Sequence, residues 1–295
     1  MSASQPSEPQ AQAVPTCFRH PDRETYVRCR RCDRPICPDC MRDASVGFQC
    51  VECVAEGNKG VREARTAFGG KVISKPYVTW ALLGLIGVGY LLHLASGGTL
   101  WSGRSAVSDQ FGMWGAGIDY ADQWYRLITS AFLHSGVMHL LFNGFALYVV
   151  GPQLENWLGH VRYLALWVVS AVGGSVLGYL VEPNQLTVGA SGAIFGLFGA
   201  ILLIGRRLRL DTRFILGLLA VNLLITFTVP NISWTAHIGG LVSGLLLGGT
   251  YAYLPFGAGR GDRTRARAAL HAGVTAGYAV VLLAVAVVWA VAVRG

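Results

Sequence analysis

Charged residues are scarce in this sequence, and lysine is almost missing. Asp, Glu, Lys and Arg make up 14% of the 295 residues, hydrophobic residues make up 53%, and the mean hydropathy is +0.45. Lysine occurs only at Lys59, Lys71 and Lys75, and this excess of arginine is typical of a GC-rich prokaryotic genome. A water-soluble domain has no place for so much apolar surface, so the composition predicts a polytopic membrane protein.

The first part of the chain lacks any apolar core. Residues 1–16 are mostly Ser, Gln, Ala and Pro, which predicts a disordered leader and not a secretory signal peptide. No run of about 20 apolar residues occurs before Pro76. The composition therefore separates a cysteine-rich head, residues 17–56, and a basic linker, residues 57–76, from a membrane part that begins at residue 77.

Beyond Pro76, windows of about 20 residues predict seven transmembrane helices, so that the fold class is all-α. Their predicted positions are 77–96, 131–150, 162–181, 189–205, 214–230, 233–254 and 271–292. A loop of about residues 97–130, rich in glycine and tryptophan, follows the first helix and is predicted to lie partly in the interface. A basic loop, residues 255–270, precedes the last segment, residues 271–295.

The basic residues orient this bundle. They cluster before the first helix (59–75), in the fourth connection (206–213) and in the sixth (260–267), whereas the opposite side holds only Arg104, Arg126 and Arg294. The positive-inside rule then places the N-terminus in the cytoplasm and the C-terminus outside the plasma membrane. The net charge of +8 is explained by topology, so membrane lipid is an expected partner and nucleic acid is not.

Polar residues of three predicted helices converge just below the outer surface. Ser191 begins the fourth helix, His237 lies near the start of the sixth, and His134, His139 and Asn143 lie on the second. A serine hydroxyl and an imidazole are the minimum for acyl transfer. These helices carry no acidic residue in their outer halves, which favours a Ser-His dyad over a triad.

Oxyanion donors are available beside the predicted nucleophile. The backbone amide of Ser191 lies at a helix N-terminus, where N–H groups are free. His139 and Asn143 are four residues apart and so project from one helical face. Plainer interpretations remain for each residue: helix packing for Ser191, interhelical hydrogen bonding for His139 and Asn143, and a proton pathway for His237.

Several sequence motifs together resemble the rhomboid family of intramembrane serine proteases. They are GASG (189–192), AHIGGLVSG (236–244), HSGVMHLLFN (134–143) and WYRLITSAFLH (124–134). The resemblance covers roughly residues 77–254 and implies a six-helix catalytic core there, followed by one extra C-terminal transmembrane helix.

The resemblance also implies roles for individual residues. Ser191 would be the nucleophile and His237 the general base, and the oxyanion hole would comprise His139, Asn143 and the Ser191 amide. Supporting positions are Gly189 and Gly192 beside the serine, Arg126 in the Trp-Arg element of the first loop, and Phe195, where the family commonly has a tyrosine that packs against the histidine.

The implied reaction is cleavage of a transmembrane segment of another membrane protein near the outer face, through an acyl-enzyme and without a cofactor. One alternative is a non-catalytic rhomboid-like scaffold that binds membrane clients, although intact Ser191 and His237 argue against it. A second alternative is a transporter or channel, which would require acidic residues along a path across the membrane. The predicted helices contain almost none.

All 7 cysteines lie in the head, in four pairs of metal-ligand spacing. The pairs are CFRH (17–20), CRRC (29–32), CPDC (37–40) and CVEC (50–53). Eight ligands suit two structural, tetrahedral Zn²⁺ sites, one of three cysteines and a histidine and one of four cysteines. An odd cysteine number and a cytoplasmic location disfavour disulfides.

The spacing resembles a B-box-type zinc finger, which implies interleaved ligand sets. One set is Cys17, His20, Cys37 and Cys40, and the other is Cys29, Cys32, Cys50 and Cys53. The head departs from the usual pattern because it ends in two cysteines where histidines are common. Its basic residues, intermixed with acidic ones, are either a solvated face or a contact for anionic lipid or a cytoplasmic protein partner.

Overall fold

The fold is known from a computed structural model, which describes residues 14–61, 65–66, 68, 70–101, 103–230, 232–254 and 261–295, with side chains from residue 266 onward in the last range. The chain divides after residue 63 into two compact units. We call residues 1–63 the head and residues 64–295 the membrane unit. The predicted leader falls largely on residues 1–13, which lie outside the described residues.

The head is built from two short hairpins and a helix. Strand β1 (Thr16–Cys17) pairs antiparallel with β2 (His20–Glu24), and β3 (Met41–Asp43) pairs antiparallel with β4 (Phe48–Cys50). A 3-10 helix (Pro38–Cys40) precedes β3, and α1 (Val51–Asn58) follows β4. Regular structure therefore begins at Thr16, inside the predicted leader, and α1 runs two residues past the predicted end of the head.

The head has a very small apolar core. Its fully buried residues are six cysteines and Ile36, with Phe18, Cys32 and Met41 partly buried around them. A core of this size supplies little folding free energy, so the cysteines themselves have to hold the head together.

The membrane unit is entirely helical apart from single bridges between extended segments in its described part. Its long helices are α2 (Tyr77–Ala95), α6 (Val137–Leu158), α7 (His160–Val181), α8 (Ser191–Arg207), α9 (Arg213–Thr228), α10 (Trp234–Tyr253) and α11 (Gly261–Arg294). The first loop folds into α3 (Ala106–Phe111), α4 (Gly115–Ala121), α5 (Arg126–Thr129) and a 3-10 helix (Ser130–Phe132). The predicted class, an all-α polytopic membrane protein, is confirmed.

Among the described residues, four helical segments are long and apolar enough to cross a membrane on their own, and α9 is a shorter apolar helix. The four are Tyr77–Ala95, Val137–Leu158, His160–Val181 and Ala266–Arg294. Helix α8 has a different character, since every residue from Gly192 to Ile201 is buried in the bundle. Its buried stretch carries no polar side chain, as is typical of a helix enclosed on all sides by protein.

Two predicted boundaries were wrong, and the predicted linker holds an unexpected core residue. The second helix was placed at 131–150 but begins at Val137 and continues to Leu158, because the apolar residues up to Phe132 form a 3-10 helix and the chain is non-helical from Leu133 to Gly136. The loop predicted at 255–270 is helical from Gly261 onward, since arginine and alanine are good helix formers. The linker predicted at 57–76 contains Phe68, which is fully buried in the core of the membrane unit.

Helices α8 and α10 touch through their backbones along a seam of small residues. A Cβ atom on Gly240 would lie 1.8 Å from the Gly192 carbonyl oxygen, and one on Gly244 would lie 1.9 Å from the Gly196 oxygen. One turn further, a Cβ on Gly248 would lie 2.5 Å from the Ala200 Cα. Small residues at every fourth position allow this approach in lipid, where helix association depends on close packing.

The seam generates a stability prediction. Gly240→Ala should lower the stability of the membrane unit by at least about 2 kcal/mol, because the new methyl group meets a backbone carbonyl that cannot rotate away. Gly249→Ala is the matched control on the same helix, since its Cβ would lie 3.4 Å from the flexible Leu203 side chain. Thermal unfolding in detergent micelles measures both. Equal unfolding temperatures would contradict the packing described here.

Candidate active site and metal centres

Ser191 is the first residue of α8, and the turn before it depends on glycine. Gly189 has φ +136°, a conformation that L side chains rarely adopt. Its N–H donates a 2.9 Å hydrogen bond to the Ser130 carbonyl oxygen, which fixes the turn against the end of the first loop. The backbone N–H groups of the first turn of α8 have no partners within the helix and are available to a ligand.

The four predicted catalytic side chains line one cavity of about 710 Å³. Its walls come from α6, α8, α9, the segment before α8 and the beginning of α10. Ser191 and His237 lie on neighbouring turns: the position of a Cβ on Gly192 is 3.1 Å from the carbonyl oxygen of Ala236. The seam between α8 and α10 therefore brings the serine and the histidine, 46 positions apart in the sequence, to the same place.

His237 is buried and held by two contacts. Its ring stacks on Phe195, with ring centroids 4.1 Å apart and an interplanar angle of 13°. Phe195 lies one helical turn beyond Ser191, so the stack directs the imidazole toward the start of α8. The His237 Nδ1 atom is 2.6 Å from the hydroxyl oxygen of Thr226 on α9.

His139 and Asn143 lie on one face of α6, opposite Ser191. The point where a Gly189 Cβ would lie is 2.7 Å from His139 Nε2 and 3.6 Å from Ser191 Oγ, so the imidazole edge faces the serine across the glycine. The Asn143 side-chain amide donates one N–H to the His139 carbonyl oxygen at 2.9 Å. Its second N–H is left for another acceptor. A negative oxygen beside Ser191 would have donors on this side.

In the head, the eight predicted metal ligands form two separate clusters. They are Cys17, His20, Cys37 and Cys40, and Cys29, Cys32, Cys50 and Cys53; within each cluster the ligand atoms all lie within 4.8 Å of one another. All seven cysteines are free thiols. The Cys37 and Cys40 sulfur atoms lie 3.2 and 3.4 Å from His20 Nδ1, and Cys32 and Cys50 Sγ are 3.8 Å apart.

These dimensions fit tetrahedral metal sites. Zn–S bonds of about 2.3 Å at tetrahedral angles separate the sulfur atoms by about 3.8 Å. Arg34 is an additional feature of the second cluster: its Nε lies 3.2 Å from Cys32 Sγ. This hydrogen bond lowers the pKa of the Cys32 thiol and so favours the thiolate, the form that binds metal. Arg34 also lies over the Phe18 ring, 4.1 Å from its centroid.

Comparison with protein families identifies part of the membrane unit. Residues 121–254 match the model of the rhomboid domain. The chain contains a rhomboid domain. It begins at the end of α4 and ends with α10, so α2 and α11 lie outside the matched region.

Three relatives indicate the range of similar proteins. The putative rhomboid protease YdcA of Bacillus subtilis is 42% identical over 134 residues, 42% of this chain and 66% of the relative. The rhomboid protease GluP of the same organism is 34% identical over 176 residues, 58% of this chain and 34% of the relative. RHOMBOID-like protein 1 of Arabidopsis thaliana is 38% identical over 138 residues, 44% of this chain and 35% of the relative. The chain thus spans less than two thirds of the length of these relatives.

Two residues that the sequence singled out, His134 of the polar group and Arg126 of the first loop, are not among those that line the cavity. His134 precedes α6 and is fully buried, with its ring edge-on to His139 at 4.9 Å, so it packs behind the site. Arg126 braces the first loop: its guanidinium donates to the Gly112 carbonyl oxygen and to Gln123 Oε1, both at 2.6 Å. The adjacent Met113 pairs with Thr187, which lies four residues before Ser191.

No sequence motif identifies Thr226 as part of the site. It lies on the apolar helix α9, and its separation from His237 by 11 positions corresponds to no periodic or motif spacing. Only the crossing of α9 beside α10 brings the two together.

Arg126 generates a second stability prediction. Arg126→Met removes two hydrogen bonds from a buried position and should cost about 3 kcal/mol, because the Gly112 carbonyl loses its partner. Arg104→Met is the control in the same loop, since Arg104 is 71% exposed and pairs with a half-exposed Asp109; its loss should cost no more than about 1 kcal/mol. Tryptophan fluorescence during thermal unfolding reports on this loop. A larger effect at Arg104 would contradict this interpretation.

Proposed function

We propose that this protein is an intramembrane serine endopeptidase that cleaves transmembrane segments of other membrane proteins. The observation that carries the proposal is the single cavity shared by Ser191, His237, His139 and Asn143 inside a rhomboid domain. The relatives named as rhomboid proteases support the same activity. A Ser-His dyad needs no cofactor for the hydrolysis itself.

The reaction proceeds in two steps. His237 takes the proton of the Ser191 hydroxyl while Ser191 Oγ attacks the scissile carbonyl carbon, and the tetrahedral oxyanion is held by the Ser191 amide, His139 and Asn143. Collapse breaks the C–N bond, and His237 passes its proton to the leaving amine. His237 then takes a proton from a water molecule, which attacks the acyl carbon and forms a second tetrahedral intermediate. When this intermediate collapses, the carboxylic acid leaves and His237 returns the proton to Ser191 Oγ.

The walls of the cavity suit an unwound membrane segment. Phe142, Ile194 and Ile225 contribute apolar surface beside the polar group. A helical amide is hydrogen-bonded and sterically shielded, so the substrate has to unwind near the site, and its freed backbone groups need polar partners within the protein. Ser191 and the substrate would meet near the outer face if the N-terminus is cytoplasmic and the C-terminus outside, as the basic residues indicate.

The rival functions explain less of the site. A non-catalytic scaffold has no use for a serine and a histidine on adjoining turns. A transporter or channel would need acidic groups along a path, but the buried Glu155 on α6 is engaged in holding α2. Its carboxylate accepts from the Val78 and Thr79 N–H groups at 2.9 Å and from the Thr79 hydroxyl at 2.6 Å.

We also propose that the head binds two structural Zn²⁺ ions. Each would have four protein ligands, which leaves no open position for chemistry. Metal binding would supply most of the folding free energy of the head, given its small core. The exposed arginines of the head are candidate contacts for anionic lipid headgroups or a cytoplasmic protein.

Proteolysis is tested with the full chain in liposomes and several single-span substrates. Wild type should cleave, and Ser191→Ala and His237→Ala should lose at least about a thousandfold in rate, because each removes one half of the dyad. Ser170→Ala is the control, since Ser170 is a buried serine of α7 away from the cavity, and it should cleave like wild type. Stable capture without cleavage by wild type would favour the scaffold.

Metal content tests the head. The purified full chain should contain two zinc ions, and His20→Gln or Cys29→Ser should each remove one, because each removes a ligand from a different cluster. His160→Gln, a histidine of the membrane unit, should keep both. Elemental analysis gives the stoichiometry, and limited proteolysis after chelation shows whether the head unfolds. A metal-free chain with disulfide-linked cysteines would contradict the assignment.

A further inference from the structure

Thr226 occupies the position beside His237 where a catalytic triad has an acid. Both residues are buried, with exposed fractions of 4% and 7%, and 2.6 Å separates Thr226 Oγ1 from His237 Nδ1. Within the described part of the chain, no carboxylate forms a hydrogen bond with this imidazole. The contact comes from α9, a helix that otherwise faces largely outward.

The direction of this hydrogen bond follows from counting protons. Thr226 Oγ1 also lies 2.7 Å from the carbonyl oxygen of Asn222, one turn earlier on α9. A carbonyl oxygen can only accept, and a hydroxyl has one proton, so the threonine proton is used in the bond to Asn222. Thr226 Oγ1 must therefore accept from His237, which places the ring proton on Nδ1.

We propose that Thr226 is a positioning residue that holds His237 in the Nδ1–H tautomer, with Nε2 unprotonated and ready to take the Ser191 proton. This inference rests on the proposed proteolytic function. It assigns to a neutral hydroxyl the orienting role that a carboxylate has in a Ser-His-Asp triad. When the imidazolium forms, Nδ1–H keeps the same acceptor, so no buried N–H is left without a partner during the reaction.

Phe195 and Thr226 restrain the ring in different ways. The stack on Phe195 fixes the plane of the imidazole but not which nitrogen faces Ser191, because a ring turned over by 180° stacks equally well. The hydrogen bond to Thr226 distinguishes the two nitrogens. Together they leave one orientation and one tautomer.

The test compares three variants in the liposome assay. Thr226→Val has nearly the same shape and lacks the hydroxyl, Thr226→Ser restores it, and Thr228→Val is the matched control. Thr228 lies two positions further along α9, is exposed, and makes the same bond to its own helix, at 2.8 Å to the Leu224 carbonyl oxygen. The readouts are kcat, KM and the rate at which a fluorophosphonate probe labels Ser191.

For Thr226→Val we expect kcat and the labelling rate to fall by about tenfold or more, since a buried donor loses its acceptor, while KM stays within about twofold of wild type. Thr226→Ser should recover most of the lost rate, and Thr228→Val should match wild type. A threonine that merely joined α9 to α10 would instead alter KM and the unfolding temperature.

Three results would overturn the proposal: full kcat in folded Thr226→Val, a loss that serine does not restore, or an equal loss in Thr228→Val. If Thr226→Val does not fold, Thr226→Ala takes its place, and failure of both would assign the threonine to stability alone. Absence of cleavage by wild type is a separate result, because it rejects the proteolytic function itself.

Discussion

The site depends on the backbone contact between α8 and α10. Gly192, Gly196 and Ala200 on one helix meet Gly240, Gly244 and Gly248 on the other, and not even a methyl group fits at Gly240 or Gly244. The hydrophobic effect does not drive helices together inside lipid, so van der Waals contacts of this kind stabilise their association. Ser191 directly precedes Gly192 on α8, and His237 lies three positions before Gly240 on α10. A helix pair packed for stability thereby also sets the distance between two reactive groups.

Different interactions stabilise the interior of each unit. In the membrane unit, buried helices contact through small residues, and buried polar groups such as Glu155 and Arg126 satisfy backbone atoms of neighbouring segments. In the head, seven cysteines and His20, gathered in two clusters, take the place of a larger apolar core.

Much of this arrangement could be predicted from the sequence. Periodic small residues, helix-starting serine and the i, i+4 pair of His139 and Asn143 are local patterns, and the cysteine pairs of the head have the spacing that metal ligands require. Features that depend on how distant helices cross could not be predicted. The contact of Thr226 with His237 is one example, and the burial of Phe68 within a basic segment is another. The start of α6 was wrong by six residues because hydropathy does not separate the short apolar 3-10 helix before it from the long helix itself.

Helix α9 packs against the bundle through few residues, and this affects the order of substrate entry and reaction in the proposed mechanism. Only Leu219 and Thr226 of this helix are buried, yet α9 forms a wall of the cavity and holds His237, the proposed general base, through Thr226. An outward displacement of α9 that admits a bulky chain would also separate Thr226 from His237, so the proposed mechanism requires α9 to return before His237 is correctly oriented. Such an enzyme would be inactive while a substrate enters and active only after α9 has closed over the bound segment. Membrane proteins that contact the opening only briefly would then escape cleavage.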